Sequence, residues 1–371
     1  MTSLYRARLD RVRARMGELG VDAVLLSLGA DLPWLTGYEA MPLERLTMLV
    51  LGASAEDTPT LVVPRLEEPR VERTGDFEVA AWDETDDPVE LVASLVGRLR
   101  VNARRLAVSD PTWSRFLLAL QRQLPDAEWL AASVVAGPLR AVKDADEIAA
   151  LRRAGAAADR VAQQLVSGQI PLLGRTEAAV SRDVGARLRA EGHDRVNFAI
   201  VGSGPNSASP HHDAGPRVIE RGDAVVCDFG GAMNGYCSDI TRTVFIGEPP
   251  AAFRDLYRVL QDAQAQAVDA AVVGTPCEDV DGVARRIIAD AGYGANFIHR
   301  TGHGIGREAH EDPYLVGGNC DPLVAGHAFS VEPGIYIRGT FGARIEDIVV
   351  ASEDGPEALN AVSHDLAIVA G

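Results

Sequence analysis

Hydrophobic positions along this chain alternate between helical spacing and short strand-like runs. In "MTSLYRARLDRVRARMGELG", Tyr5, Leu9, Val12, Met16 and Leu19 recur at spacings of four and three, which predicts a first helix. The stretch is Arg-rich, but Asp10 and Glu18 break the acid-poor pattern of a targeting peptide. The runs "VDAVLLSL", "RLTMLVLG", "TLVVPRL" and "FEVAAW" read as strands. The helix "PVELVASLVGRL", the strand "RLAVSD" and the helix "TWSRFLLALQRQL", entered through Pro111, follow. This is the pattern of an α/β domain over residues 1–138. Within it "DLPWLTGYEAMP" reads as a loop bearing Trp34 and Tyr38, either packed inward or serving as a lid or partner contact.

The character changes at "GPLRAVKDADEIAALRRAGAAADRVAQQL". A Gly-Pro break leads to Asp144 and a long Ala-rich amphipathic helix, with acids in its first turn and arginines further along. The domain boundary is placed just before it, so residues 139–371 form the second domain. There, helices such as "FRDLYRVLQDAQAQAVDAA" and "EDVDGVARRIIADAG" are segregated from β runs, which predicts an α+β domain.

One of those β runs carries the first chemical signal. "VVCDFGGAMNGYCSDITRTV" places Asn234-Gly235 as a type I′ turn between antiparallel strands. Asp239 then falls diagonal to Asp228, or opposite it if one residue bulges; either way both carboxylates share a sheet face. Both strands are apolar, and burying two adjacent carboxylates is costly without a cation or shared protons. A solvated surface hairpin is the plain alternative, and the apolar flanks argue against it.

Composition narrows the chemistry. The 371 residues are 47% hydrophobic and 24% charged, with a formal charge of −17. An acidic surface without a basic patch argues against a nucleic-acid partner and is compatible with cation binding. Cys227, Cys237, Cys277 and Cys320 form no CxxC pair, so reduced thiols and a cytoplasmic location are expected. No apolar stretch approaches the roughly 20 residues of a membrane span.

Two further stretches add ligand types. "HRTGHGIGREAHEDPYL" holds His299, His303 and His310 among glycines that make a helix there improbable and let the backbone pass close to something bound. It lacks the strand and helix that flank a nucleotide-binding glycine loop. "FSVEPGIYI" ends an apolar run on Glu332, and "GARIEDIVV" sets Glu346 inside another strand. Singly, each glutamate could pair with Arg338 or Arg344. Together, two Asp, two Glu and one imidazole suit two divalent cations, with Mn²⁺ favoured by the oxygen-rich set and Co²⁺ or Zn²⁺ as the other candidates. Metal-assisted hydrolysis is the chemistry such a pair supports.

The motifs "DFGGAMNGYCSDITRTV", "HRTGHGIG", "HEDPY", "VEPGIY" and "RIEDIVV", in this order, resemble the pita-bread metallopeptidases, which include methionine aminopeptidase, aminopeptidase P, prolidase and creatinase. The N-terminal domain and "LRAVKDADEI" are similar to the aminopeptidase P, prolidase and creatinase branch. The resemblance implies a C-terminal pita-bread domain behind an N-terminal α/β creatinase-like domain. It implies Asp228, Asp239, His303, Glu332 and Glu346 as ligands of two metals, with Asp239 and Glu346 bridging.

It further implies that His211, rather than its neighbour His212, and His299 bind substrate carbonyl or carboxylate groups, that His310 and Arg344 serve the same site, and that Glu332 shuttles a proton. Arg307 and Ala309 stand where the family usually has aliphatic residues. The implied activity is hydrolysis of Xaa-Pro bonds. The compact N-terminal domain favours a prolidase acting on Xaa-Pro dipeptides. An aminopeptidase P taking longer peptides is the alternative, and a non-catalytic binding protein or a creatinase-like hydrolase is disfavoured by the complete ligand set. A homodimer is implied by the family alone.

Overall fold

The computed structural model describes residues 4–369, so the first three residues of the sequence-predicted N-terminal helix lie outside it. Contacts divide the chain into two units, Met1–Arg140 and Ala141–Gly371.

The first unit runs α1 (Leu4–Leu19), β1 (Ala23–Leu26), α2 (Asp31–Thr36), β2 (Met48–Gly52), β3 (Thr60–Pro64), β4 (Glu78–Trp82), α3 (Pro88–Gly97), β5 (Arg105–Val108), α4 (Ser114–Gln123), β6 (Glu128–Ala131) and α5 (Ser133–Ala141). Its six strands form one mixed sheet in the order β4-β3-β2-β1-β5-β6. The central strands are buried on both faces, which is why "AVLL" and "MLVLG" are continuous apolar runs without alternation.

Leu9, Val12 and Met16 of α1 are fully buried, as their spacing predicts. Arg8 and Arg13 are buried too, and they donate to main-chain carbonyls of Trp34, Gly52 and Asp57.

Two local expectations are corrected. "DLPWLT" is a buried helix, closed by Gly37 in the left-handed conformation (φ 74°), and Trp34 and Tyr38 pack in this unit's core rather than forming a lid. Pro138 sits inside α5 instead of breaking the chain. The helix survives the lost hydrogen bond because Val135 and Ala136 are fully buried and Arg140 Nε pairs with Asp31 at 2.6 Å.

The second unit starts with α6 (Ala145–Val166). Asp144 and Glu147 form a reciprocal capping box there, satisfying two otherwise orphaned amides. Then come α7 (Glu177–Ala190), β7 (Arg195–Ser203), β8 (Ala224–Met233), β9 (Tyr236–Ile246), α8 (Ala251–Ala270), α9 (Cys277–Asp290), β10 (Gly302–Gly304), β11 (Glu311–Leu315), β12 (Ala328–Val331), β13 (Gly334–Ile337), β14 (Phe341–Arg344), β15 (Asp347–Ser352), β16 (Gly355–Ala358) and β17 (Ala367–Val369).

Three sheets result, ordered β17-β9-β8-β7, β11-β10-β12-β15-β16 and β13-β14. Helices α6 and α7 share one apolar core with one face of the first sheet. Helices α8 and α9 share another with strands of the other two sheets. This is the expected α+β arrangement, and it leaves the opposite face of β7, β8 and β9 free to carry polar chemistry. No helix among the described residues is long and apolar enough to cross a membrane.

Candidate metal centre

Strand register assembles the first part of the site. Asn234 and Gly235 both have positive φ (50° and 79°), the signature of a type I′ turn. The hairpin then pairs Met233 with Tyr236 and continues without a bulge, so Asp228 faces Thr241 and Gly230 faces Asp239. Asp239 is therefore diagonal to Asp228 rather than opposite it. On β7, Ile200 aligns with Asp228 and Phe198 with Gly230, giving the acids an apolar border on the same face.

The other candidate ligands come from points where the chain changes strand. Glu332 lies between β12, in the five-stranded sheet, and β13, in the two-stranded one; Glu346 lies between β14 and β15, where the chain passes back. Glu346 bridges to Thr241 instead of standing inside a continuous strand, as the sequence had suggested. His303 is on β10, where a Cβ at Gly302 would collide with the Ser330 carbonyl and one at Gly304 with that of Asp312. Only glycine permits this strand approach.

These groups converge. Ligand atoms of Asp228, Asp239 and Glu346 lie within 4.8 Å of one another, as do those of His303, Glu332 and Glu346, and those of Asp239, His303 and His310. All line one cavity of about 730 Å³, with Phe198, Ile200, His211, Ile298, His299, Arg300 and Arg344 among the other wall residues. Its charged lining is four acids, Asp228, Asp239, Glu332 and Glu346, with two arginines, Arg300 and Arg344.

Burial raises the carboxyls of Asp239 and Glu346 well above their ordinary value, and neighbouring carboxylates add to the rise. Burial also raises Asp228, outweighing the charge of Arg344. Burial opposes charge on Glu332 too, but the hydrogen bond and charge of His303 bring it down to about 2.

Two observations test whether cations fit. Oδ1 of Asp228 and Oδ1 of Asp239 are buried without a hydrogen-bond partner. His303 Nδ1 lies 3.1 Å from the Gly304 carbonyl, which can only accept, so this nitrogen carries the proton. Nε2, the ring nitrogen left over, points at Glu332 Oε1 (3.2 Å) and Asp239 Oδ2 (3.8 Å), the direction from which an ion shared with those carboxylates would be ligated. The donor set fits a pair of oxygen-preferring divalent ions.

The surrounding residues hold the acids in place. Arg344 Nη2 donates to Asp228 Oδ2, Nη1 to Tyr336 Oη at 2.8 Å, and Nε to Thr241 Oγ1 at 3.1 Å. Thr241 in turn donates to Glu346 Oε2 at 2.6 Å, and Ser330 Oγ donates to Glu332 Oε1 at 3.0 Å.

Thr241, Tyr336 and Ser330 were not picked out from sequence. Period-two alternation would have flagged Thr241, two residues beyond Asp239 on the same face. Tyr336 accepts from Arg344 and sits 2.9 Å from His299 Nε2, while His299 Nδ1 reaches the Arg300 carbonyl at 2.8 Å. Both nitrogens of His299 are thus engaged within the protein.

His310 packs against His303 with ring centroids 3.9 Å apart and planes tilted by 46°, and burial followed by the His303 charge lowers its pKa to about 4. His211 stands on the cavity wall. His212 turns away, its Nε2 at 2.8 Å from Glu177 Oε2. Glu177 is fully buried and also accepts from Ser203 N, Ser203 Oγ and Asn206 Nδ2, so it anchors the segment that carries His211. Arg307 and Ala309 line no part of the cavity. Arg307 lies over the Tyr236 ring at 5.5 Å and Ala309 packs beside it, behind the hairpin.

Comparison with known proteins gives one consistent picture. Residues 149–353 match metallopeptidase family M24, and residues 8–142 match the creatinase/prolidase N-terminal domain. The probable dipeptidase PepE of Mycobacterium tuberculosis is 44% identical over 99% of this chain and 97% of its own length. The Xaa-Pro dipeptidase of Lactobacillus delbrueckii subsp. lactis is 35% identical over 97% of this chain and 98% of its own. The crystal structure of a recombinant prolidase from Thermococcus sibiricus superposes with a TM-score of 0.92 at 35% identity, covering all of both chains.

Proposed function

We propose, from the premise that this chain belongs to metallopeptidase family M24 and carries the creatinase/prolidase N-terminal domain, that it hydrolyses Xaa-Pro dipeptides. In this reading two divalent ions, Mn²⁺ in the first place, would be held by Asp228, Asp239, His303, Glu332 and Glu346. The observation that carries it is the set of four convergent acids on one cavity, two with orphaned buried oxygens, gathered around Nε2 of His303.

Bound ions supply Lewis acidity and activation of water. The protein supplies the rest. Glu332, held by Ser330, takes the proton released by the attacking water and returns it to the proline nitrogen as the bond breaks. That nitrogen belongs to a tertiary amide and offers no N–H of its own, so recognition falls to shape and to the other substrate groups. Neutral His310 donates to the carbonyl oxygen as charge builds on it, and His211 binds the substrate from the opposite wall.

Arg344 and Thr241 keep Asp228 and Glu346 in their positions. The contact from His299 to a substrate carbonyl is given up in this reading. Its nitrogens are spent on Tyr336 and the main chain, and it acts by fixing Tyr336 against Arg344.

The relatives named as dipeptidases and the prolidase superposition support a dipeptide substrate. A homodimer and a cytoplasmic location accompany this reading on family grounds. The test is a metal-titrated assay of Ala-Pro against Ala-Pro-Ala. The reading expects Mn²⁺-dependent cleavage of the dipeptide and slow cleavage of the tripeptide; fast tripeptide cleavage turns it into an aminopeptidase P.

A further inference from the structure

An arginine stands where the pattern of β9 calls for a hydrocarbon. Alternation puts Arg242 on the face opposite Asp239 and Thr241, in line with Ile240 and Val244 of the core shared with α6 and α7. Arg242 is itself buried, 1% exposed. Five hydrogen bonds compensate its desolvation. Nη1 donates to the carbonyls of Glu346 (2.7 Å) and Thr241 (2.9 Å). Nη2 donates to Asp347 Oδ1 (2.8 Å) and the Val362 carbonyl (2.6 Å), and Nε to the Ser363 carbonyl (3.2 Å).

These partners tie the metal centre to a segment that carries none of its motifs. Glu346 belongs to neither β14 nor β15. Its N–H donates to the Thr241 carbonyl at 3.2 Å, and its own carbonyl takes the Arg242 bond. Arg242 thus does at this change of sheet what a neighbouring strand does elsewhere. Residues 359–369 back it. Leu359 N donates to the Ile348 carbonyl at 2.7 Å, Ile348 N to Asn360 Oδ1 at 2.8 Å, and β17 runs parallel to β9. Asn360 Nδ2 and Ala361 N donate to the Asp159 carboxylate of α6 at 3.0 and 2.7 Å. At the partly exposed end, His364 Nε2 donates to Asp347 Oδ2 at 2.6 Å and leaves Oδ1 for Arg242.

We infer that Arg242 is a positioning residue for Glu346, and that the C-terminal segment, through His364 and Asp347, holds Arg242 in place. This rests on the two-ion reading and adds to it residues remote from every ligand motif. A metal ligand must be held within about 0.5 Å of its productive position. Thr241 Oγ1 fixes the Glu346 carboxylate and Arg242 fixes its main chain, so both ends of the side chain are set before an ion arrives.

The experiment measures Mn²⁺ binding by calorimetry, and urea unfolding after chelation, on full-length wild type, Arg242→Lys, His364→Ala and His364→Gln. Lysine keeps the charge beside Asp347 but cannot span four carbonyls, so Arg242→Lys is expected to weaken Mn²⁺ binding by about 10- to 100-fold. His364→Ala is expected to weaken it by about 3- to 10-fold. His364→Gln, whose amide nitrogen still donates to Asp347, recovers most of that loss. A purely structural role lowers the urea midpoint and leaves the Kd of the folded protein at the wild-type value; that result in Arg242→Lys overturns the inference. If Arg242→Lys does not fold, His364→Ala decides, with an unchanged Kd overturning the inference and a weakened one rescued by glutamine upholding it. A loss in Arg242→Lys without one in His364→Ala upholds Arg242 and overturns the part given to the C-terminal segment. If wild type binds no Mn²⁺, the two-ion reading itself has failed and the positioning role falls with it.

Discussion

Lys143 and Glu311 form a buried ion pair at 2.6 Å, a short distance along the chain from His310; Arg242 and Asp347 form another at 2.8 Å, adjoining Thr241 and Glu346. Each of these charges is answered inside the protein. Arg242 is further satisfied by the carbonyls of Thr241, Glu346 and Val362, and Asp347 by His364. The acids of the cavity differ in kind. Four carboxylates gather around one committed arginine and one imidazole, and two of their buried oxygens have no hydrogen-bond partner. The same fold therefore completes its electrostatics at the periphery of the site and leaves them incomplete at the centre. A buried pair serves structure; a buried excess of one sign is a site awaiting its counter-ion.

The largest effect that would break this contrast is on activity. Asp239→Asn is expected to lower kcat/KM with Mn²⁺ by at least about 10³-fold, roughly 4 kcal/mol of transition-state stabilisation, because one of the proposed ligands is lost. Retained turnover on Ala-Pro would remove Asp239 from the metal set.

Lys143→Met is expected to cost about 3–5 kcal/mol in denaturant unfolding, since the buried Glu311 loses its 2.6 Å ion pair. Asp239→Asn should move stability the other way in the metal-free protein, raising the unfolding midpoint by relieving repulsion. Identical signs for these two variants would erase the distinction between compensated and uncompensated charge.

Mn²⁺ itself should stabilise wild type by about 2.7 kcal/mol at a free concentration 100 times its Kd, and chelation should reverse this. Asp239→Asn should lose most of that shift in a thermal melt.

The smallest expected effect concerns a histidine outside the metal set. His327 Nδ1 accepts the Val324 amide at 3.3 Å. Burial, followed by the charge of Lys143, lowers its pKa to about 4. The unfolded chain takes up that proton near the ordinary value of about 6.5, so it binds more protons than the folded state between the two. Stability is full above pH 6.5 and declines as pH falls toward 4. His327→Gln should flatten this slope by about 1–2 kcal/mol at pH 5 in chelated protein, read by urea unfolding at several pH values.

Much of the site was legible because its determinants are local. Asn234-Gly235 specifies a tight hairpin, and period-two alternation puts Asp228 and Asp239 on one face whichever register the strands adopt. Asp144 and Glu147 announce a helix start through a capping box of four residues. Glycines around His303 exclude a helix and leave a strand. Local pattern misled where context overrides it. "DLPWLT" has the composition of a loop, yet it is helical because Trp34 and Leu35 are buried in the core of its unit. Pro138 marks a break by propensity, yet packing on either side carries the helix through it.

The sequence by itself thus determined which side chains are available, the hairpin that pairs the two aspartates, and the order of the motifs, since these depend on contacts only a few residues apart. Tertiary structure alone decided that Glu332 and Glu346 meet the aspartates, each at a point where the chain changes sheet. It also decided that Arg344 is consumed by Asp228 and Tyr336 while Arg300 lies over the ring of Tyr314. Such pairings join residues scores of positions apart, and their partners are chosen by the packing of whole sheets, which no local spacing encodes.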